Sequence, residues 1–338
     1  MTGIQMTRKT MFYFYIIKSI LLVQLLHGGM IKIATLAPEG SLWGACLDQI
    51  KKDVYFATEK NVRIKIYYGG KMGDENAMVD KIKIGYLGGG AFTGRGLGEI
   101  STEIRILEVP RLFRSSKEVD MVQKALYGDL DKVFGEKGFK IIGIIDTGFA
   151  YFFSKKDITS IKDIQKSKMW MWQGDPLVYQ FMKSFEIKAK ALNFIDVIPS
   201  LQTGMINGFY CSPMACISLQ WFTEAKYMLD YKLASVCGAF VLSKKAWQRL
   251  SEEEQKTVFE ISNKYLRELV EKNRQNDAES IELLKKYGIT INKPSGDLAV
   301  YEEISREVKK SLEEKIYSKQ ISQKADDLLA KQRSSKKK

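Results

Sequence analysis

The most constraining feature of this chain is the alternation of short apolar strands with amphipathic helices near its beginning. The predicted elements follow one another in this order: strand Ile31–Thr35, helix Ser41–Ala57 capped by Ser41, strand Asn61–Tyr68, a helix from Asp74 to about Ile84, and strand Gly88–Phe92. Gly85 is placed to end the second helix. Strands and helices at this spacing predict βαβ units on a mostly parallel sheet, and therefore an α/β fold.

Helices near Ser116–Tyr127 and Asp129–Glu136 precede a predicted strand at Lys140–Asp146. A second alternating set follows, and its predicted elements are strands Phe149–Ser154 and Lys168–Trp172, a helix from Asp175, strand Lys188–Ala191, helix Val197–Thr203 and strand Gly208–Cys211. Ser251 and Glu254 form a capping box that opens a helix continuing to about Lys286. Because so long a helix is unusual in one compact domain, we expect it to brace two lobes.

The residues available for chemistry exclude several enzyme classes. The only histidine, His27, lies in an N-terminal segment that we expect to be removed, so Ser-His and Cys-His nucleophiles and histidine-ligated metals have no residue to use. The glycines of Gly88–Gly98 fit neither GxGxxG nor a phosphate-binding loop. We therefore expect no cofactor and no metal, and predict a protein that is not an enzyme. An exported enzyme that uses carboxylates is an open alternative.

The N-terminus and the net charge bear on localisation and partners. Arg8 and Lys9 precede an apolar run, and small Gly28 and Gly29 follow it, as in a signal peptide over 1–29 cleaved near those glycines. An uncleaved membrane anchor is the alternative. The formal charge is +13, and removing three positive charges of residues 1–29 and five of residues 331–338 leaves +5. That is too little to predict nucleic-acid binding, and we expect a periplasmic protein with a disordered basic tail over 331–338.

Eight stretches carry a family resemblance across residues 30–330. They are IATLAPEGSLWG, YYGGKMGDENAMVDKIKIG, GGGAFTGRGLGEI, VPRLFRSSKEVD, YFFSKKDITSIKDI, MWMWQGDPL, SLQTGMINGFYCSP and LQWFTEAKYMLD. In this order they resemble the solute-binding subunit of tripartite ATP-independent periplasmic (TRAP) transporters. The resemblance implies a two-lobed periplasmic-binding-protein fold with the ligand between the lobes.

The resemblance also predicts domain boundaries and partners. The first lobe is expected to comprise residues 30–146 plus 238–270, and the second 147–237 plus 271–330. Small and large permease subunits in the membrane are the implied partners, and a further periplasmic partner remains open. The protein is expected to deliver a small molecule to that permease.

Two departures from the family pattern bear on the ligand. The family commonly clamps an organic acid with one arginine in a Gly-x-Arg strand and a second in a later Lys-Ile-Arg-like strand. Here those positions hold Ala150 and Trp170. A carboxylate moved from water into a closing cleft loses hydration that only pairing restores. The sequence therefore predicts an apolar or amphipathic ligand, with an organic anion held by Arg95 as the alternative.

The candidate site follows from these positions and from the ends of the predicted strands. It comprises Trp43, Phe92, Thr93, Gly94, Phe149, Tyr151, Trp170, Trp172, Gln173, Asp175, Tyr210, Cys211 and Ser212. Residues i and i+2 of a strand share a face, so Trp170 and Trp172 point the same way, either into the cleft, which the family position favours, or into the core. Asp175 has capping its helix as an alternative role, and Trp43 has packing.

The four cysteines and the surface leave further alternatives. We expect Cys46, Cys211, Cys216 and Cys237 to be free thiols, with a Cys211–Cys216 disulfide as the local alternative. A surface interaction protein that uses the basic tail and exposed aromatic residues is the remaining hypothesis from a different class.

Overall fold

The protein contains two β-sheets, each the centre of one lobe. The computed structural model describes residues 29–296 and 298–335. Within these residues, lobe I contains a five-stranded sheet and lobe II a six-stranded sheet. This architecture confirms the predicted α/β class with two lobes.

Lobe I is built on the predicted βαβ units. Its strands are β1 (Met30–Thr35), β2 (Arg63–Tyr67), β3 (Gly89–Thr93), β4 (Phe139–Phe149) and β10 (Ser235–Ser243). Strand β1 pairs in parallel with β2 and β3, whereas β10 inserts antiparallel between β3 and β4. Strand β10 comes from far along the chain, so local sequence did not predict its place in this sheet.

The helices of lobe I begin at predicted caps. They are α1 (Leu42–Ala57), α2 (Glu75–Lys83), α3 (Gly94–Ile100) and α4 (Ser116–Glu136), with a 3₁₀ helix at Thr102–Glu108. The Ser41 hydroxyl accepts a hydrogen bond from Gly44 N, and the Asp74 carboxylate accepts one from Glu75 N. The prediction of two helices over residues 116–136 was wrong. Gly128 costs about 1 kcal/mol inside a helix, but the continuous apolar face around Leu126 and Leu130 is buried and outweighs that cost.

Lobe II has a mixed sheet. Its strands are β5 (Tyr151–Ser154), β6 (Met169–Trp172), β7 (Ala189–Leu192), β8 (Gly208–Cys211), β9 (Tyr227–Leu229) and β11 (Thr290–Asn292). Its short helices are α5 (Ile161–Gln165), α6 (Pro176–Ser184), α7 (Val197–Gln202) and α8 (Pro213–Ser218), with 3₁₀ helices at Phe194–Asp196 and Trp221–Glu224. Strand β6 is parallel to β7 and β8, while β5 is antiparallel to β8 and β9.

Two chain segments cross side by side between the lobes. One links β4 to β5 at Ala150, and the other links β9 to β10. Ala150 N donates to Ala234 O at 2.9 Å, and Leu233 N donates to Ala150 O at 2.9 Å. These paired crossings lie directly against the cleft, where a hinge between the sheets is expected.

The C-terminal part of the chain ties the lobes together. A short helix α9 (Lys244–Trp247) precedes α10 (Glu252–Lys286), which has the predicted capping box and packs on α1 and β4 of lobe I and on α8 of lobe II. Helix α11 (Leu298–Leu312) packs on α6 of lobe II, but α12 (Lys319–Ser335) packs on α4 of lobe I. This differs from the expected assignment of residues 271–330 to the second lobe.

The expected disordered tail is also corrected in part. Residues 331–335 continue α12, and Arg333 in this segment forms an ion pair with Glu118 of α4 at 2.8 Å. We expected disorder over 331–338 because its positive charges repel one another. The contact between Arg333 and Glu118 stabilises the helix in spite of this repulsion. The predicted signal peptide lies outside the described residues, apart from Gly29. Among the described helices, none combines the length and apolar character that a membrane crossing requires.

Candidate functional site

A cavity of about 260 Å³ lies between the two sheets. Its wall combines residues that follow β1 and β3 in lobe I, residues of α6, α8, β6 and β8 in lobe II, and the two crossing segments. The volume is near the lower end of the range for small-molecule pockets, which is roughly 300–1,000 Å³. A site at the carboxyl ends of strands, between two lobes, is a common position for ligands in open α/β sheets.

Aromatic rings of lobe II form one wall of this cavity. Trp170 stacks on Tyr210 with ring centroids 5.2 Å apart and meets Trp221 edge-on at 5.4 Å. Trp172 stacks on Phe194 at 5.8 Å. Indole and phenol rings in this arrangement offer a large apolar surface and few rotatable bonds, which suits apolar or flat ligands.

Both tryptophans of β6 line the cavity, so they share one face of the strand as their spacing predicted. Trp170 is 2% exposed, and its indole N–H donates to Leu192 O at 3.1 Å. Trp172 is half-buried and donates across the cleft to the Asp74 carboxylate at 3.2 Å. Met169, one position before Trp170, is fully buried on the other side of the strand. Trp170 is therefore both a cleft residue and a core residue, because it is a buried part of the cavity wall.

Arg105 is buried in the cavity wall between two carboxylates. Its Nη2 donates to Asp175 Oδ2 of lobe II at 2.9 Å, and its Nε lies 3.0 Å from Glu108 Oε2. Although burial alone would lower the pKa of Arg105, the two carboxylates together raise it above its ordinary value. Burial raises the pKa of Glu108, and the Arg105 charge opposes that shift. This cation is therefore already neutralised by the protein.

Arg95 is the second buried cation of the wall. It forms an ion pair with Glu99, and its Nη2 donates to the backbone oxygen of Gln173 at 3.2 Å. Asp74 adds two more contacts between the lobes, because its Oδ2 accepts from Trp172 Nε1 and from Phe194 N, each at 3.2 Å. With hydrogen bonds spanning the cleft at several points, the structure is a closed form.

The sequence profile of the bacterial extracellular solute-binding proteins of family 7 matches residues 33–318. The chain belongs to this family. A solute-binding protein of Verminephrobacter eiseniae is 23% identical over 258 residues, which are 75% of this chain and 76% of that relative. This membership confirms the TRAP resemblance.

Solved structures share the fold. A TRAP periplasmic solute-binding protein from Desulfovibrio salexigens with bound orotic acid superposes with a TM-score of 0.80, 19% identity, and coverage of 89% of this chain and 96% of that one. The sugar acid binding protein of Advenella mimigardefordensis, in complex with galactonate, superposes with a TM-score of 0.83, 16% identity, and coverage of 89% and 98%. Members of family 7 are extracytoplasmic solute-binding proteins and not enzymes. Membership implies a small-molecule ligand and TRAP permease partners in the membrane.

The cavity of this family 7 protein brings together nine of the thirteen residues that the sequence singled out. They are Trp43, Phe92, Thr93, Trp170, Trp172, Asp175, Tyr210, Cys211 and Ser212. Asp175 has its predicted capping role, because its Oδ1 accepts from Leu177 N and Val178 N of α6. Its Oδ2 accepts from Arg105, a contact that the sequence did not predict.

The other four predicted residues do not line the cavity. Phe149 and Tyr151 are buried away from it, since neighbours along an extended chain face opposite sides and Ala150 between them lines the wall. The Gln173 side chain is exposed, and the residue contributes its backbone oxygen to Arg95 instead. A Cβ on Gly94 would lie 1.9 Å from Glu108 Oε2, so this glycine makes room for the buried carboxylate.

Sequence reasoning missed several residues of the wall. The apolar face of α6, the aromatic residues Phe194 and Trp221, and the charged residues Glu75, Arg105 and Glu108 all line the cavity. The sequence did contain a signal for Arg105 and Glu108. They are two opposite charges, three residues apart, within the otherwise apolar run 104–109, and buried charges are expected to be paired. Phe194 and Trp221 lie in 3₁₀ helices, whose contribution depends on tertiary packing.

The cysteines are free, as expected. Cys46, Cys216 and Cys237 are buried, and Cys211 is half-buried at the cavity wall. Burial raises the pKa of the Cys46 thiol to about 12, so it stays a neutral thiol. Within the described residues, no cluster of cysteine, aspartate or glutamate side chains has the arrangement of a metal site.

Glu75 is a buried carboxyl group behind Thr93. Its oxygens accept from Thr93 N, Thr93 Oγ1 and Gly96 N at 2.6–2.8 Å. Burial raises the pKa of Glu75 to about 7, against the opposing effect of these hydrogen bonds. The group therefore carries its proton over a wider pH range in the folded state than in the unfolded chain.

We expect Glu75 to make the free energy of unfolding depend on pH. The folded pKa is raised, so the stabilisation is present below about pH 4.5 and is lost as the pH rises through about 7. Over this window the wild type should lose roughly 3 kcal/mol relative to Glu75→Gln, which does not titrate there. Urea unfolding of both proteins between these pH values measures the difference. If the free energies of unfolding of the two proteins change with pH in the same way, the raised pKa of Glu75 is contradicted.

Proposed function

We propose that this TRAP solute-binding protein captures a small apolar or amphipathic ligand that lacks a carboxylate, and delivers it to the permease. The observation that carries the proposal is the pairing of the cavity's cations. Among the described residues that line the cavity, Arg95 and Arg105 are the only arginines and no lysine is present, and each arginine already contacts a carboxylate of the protein.

The positions of the family's usual arginines support the same ligand class. Ala150 and Trp170 both line the cavity. A carboxylate placed beside them would lose its hydration and gain no new ion pair, which costs several kcal/mol. An apolar ring placed against Trp170 and Phe194 would instead bury apolar surface at roughly 25 cal/mol per Å².

An organic anion is the second candidate. Two observations favour it: Arg95 and Arg105 are buried in the wall, and the solved relatives hold acids, among them orotic acid, galactonate and D-glucuronate. For an acid to bind, it would have to displace Asp175 or Glu99 from a guanidinium group. Both carboxylates belong to the same chain as the arginines, so a ligand acid would have to compete with an intramolecular contact, which is unfavourable.

A matched pair of probes separates the two candidates. Calorimetry with phenylacetamide and phenylacetate compares ligands of the same shape that differ in charge. We expect the wild type to prefer the amide by at least about tenfold, the scale of one hydrogen bond to a charged group. Tight phenylacetate binding that is lost in Arg95→Met would establish the anion alternative. Mass spectrometry of ligand extracted from gently purified protein gives an independent identification.

The location and assembly of the protein complete the proposal. Cleavage near Gly28 or Gly29 would release a periplasmic protein that begins at β1, and N-terminal sequencing of protein from cells tests this. Pull-down with the permease subunits tests the assembly in the membrane, and whether an additional periplasmic partner binds stays open.

A further inference from the structure

The segment that follows β6 contacts both buried arginines of the opposite lobe. Gln173 offers its backbone oxygen to Arg95, and Asp175 offers a carboxylate oxygen to Arg105 at 2.9 Å. Asp175 is 3% exposed and Arg105 is 3% exposed, so this ion pair is formed almost without water. A protein carboxylate thus lies beside a buried guanidinium group of the cavity wall, a pairing of the kind that arginines also make with the carboxylates of ligands.

We propose that Asp175 determines ligand specificity, because it replaces the ligand carboxylate as the partner of Arg105. The inference rests on the proposed function and deepens it. With Asp175 in place, Arg105 is satisfied without an acidic ligand, and the lobes close around a neutral one. An acid in the cavity would meet Asp175 and Glu108 as like charges, which disfavours it.

Arg105 retains the capacity to bind an anion. Although Glu108 Oε2 is 3.0 Å from Nε, the buried Nε atom lacks a hydrogen bond of good geometry. Once Asp175 is uncharged, the Nη2 atom of Arg105 that donates to it can donate to a ligand carboxylate instead. Neutralising Asp175 alone should therefore change which ligands bind.

The variant Asp175→Asn tests this and keeps the cap of α6. Asparagine is an effective N-cap, so its side-chain oxygen can still accept from Leu177 N and Val178 N. We expect the ratio of phenylacetate to phenylacetamide affinity to rise at least about tenfold over the wild type, as expected when one like charge is removed from a buried site. The second change Arg105→Met should abolish the gain, because Arg95 remains paired with Glu99.

The matched control is Asp196→Asn, which removes a negative charge from an exposed position of the same lobe and should leave the ratio unchanged. If the wild type prefers phenylacetamide but Asp175→Asn keeps the same ratio, or binds no carboxylate, the role of Asp175 is overturned while the proposed function stands. If the wild type prefers phenylacetate, the proposed function itself fails. A gain that survives Arg105→Met would also overturn the assignment to Arg105.

Discussion

Replacing Trp170 with alanine is expected to produce a large loss of both stability and ligand binding. Its indole ring contacts Tyr210, Trp172 and Trp221, and its N–H has a backbone partner in Leu192. Removing so large a buried ring costs about 3–5 kcal/mol through lost apolar burial and the cavity left behind. Affinity for an apolar probe should fall by about 1.5–3 kcal/mol, the usual contribution of one buried side chain.

Chemical denaturation and calorimetry measure the two effects separately. Trp170→Phe keeps a ring and removes the indole N–H, and is expected to recover most of the loss. Trp247→Ala, at a half-buried site of lobe I outside the cavity, should leave binding unchanged. If Trp170→Ala binds the probe as tightly as the wild type, the aromatic wall is not the ligand surface.

Replacing Arg274 with methionine is expected to destabilise the junction between α10 and β4. Arg274 holds Asp146 at 2.9 Å and Asp120 at 2.8 Å, and these hydrogen bonds raise the pKa of Arg274 above its ordinary value. The Asp146 side chain is fully buried. Removing its cation leaves an uncompensated buried charge, so we expect a loss of about 3 kcal/mol, near the low end for buried pairs because Arg274 is partly exposed.

Chemical denaturation of the wild type and the variant at neutral pH measures this effect. Arg267→Met, at an exposed position of the same helix, is the control and should change stability by less than about 0.5 kcal/mol. An equal loss in both variants would assign the effect to helix α10 in general and not to the ion pair.

Much of the fold could be predicted because its signals are local. The apolar runs of β1 and β3, the caps Ser41 and Asp74, and the capping box at Ser251 act through neighbours within four residues. The start and the end of the long helix α10 could likewise be predicted from its own sequence. Where a local rule conflicted with packing, as at Gly128 in α4 and in the tail beyond Lys331, the tertiary contacts decided.

The sequence alone determined the α/β class, the family resemblance, and the replacement of two expected arginines by Ala150 and Trp170. Only the tertiary structure decided how the remaining charges are paired. Arg105 meets Asp175 seventy residues away, and Asp74 meets Phe194 across the cleft. Such partners are set by how two sheets close on each other, a relation that no local periodicity encodes. Burial then strengthens the Arg105–Asp175 pair, since little water is present there to compete with it.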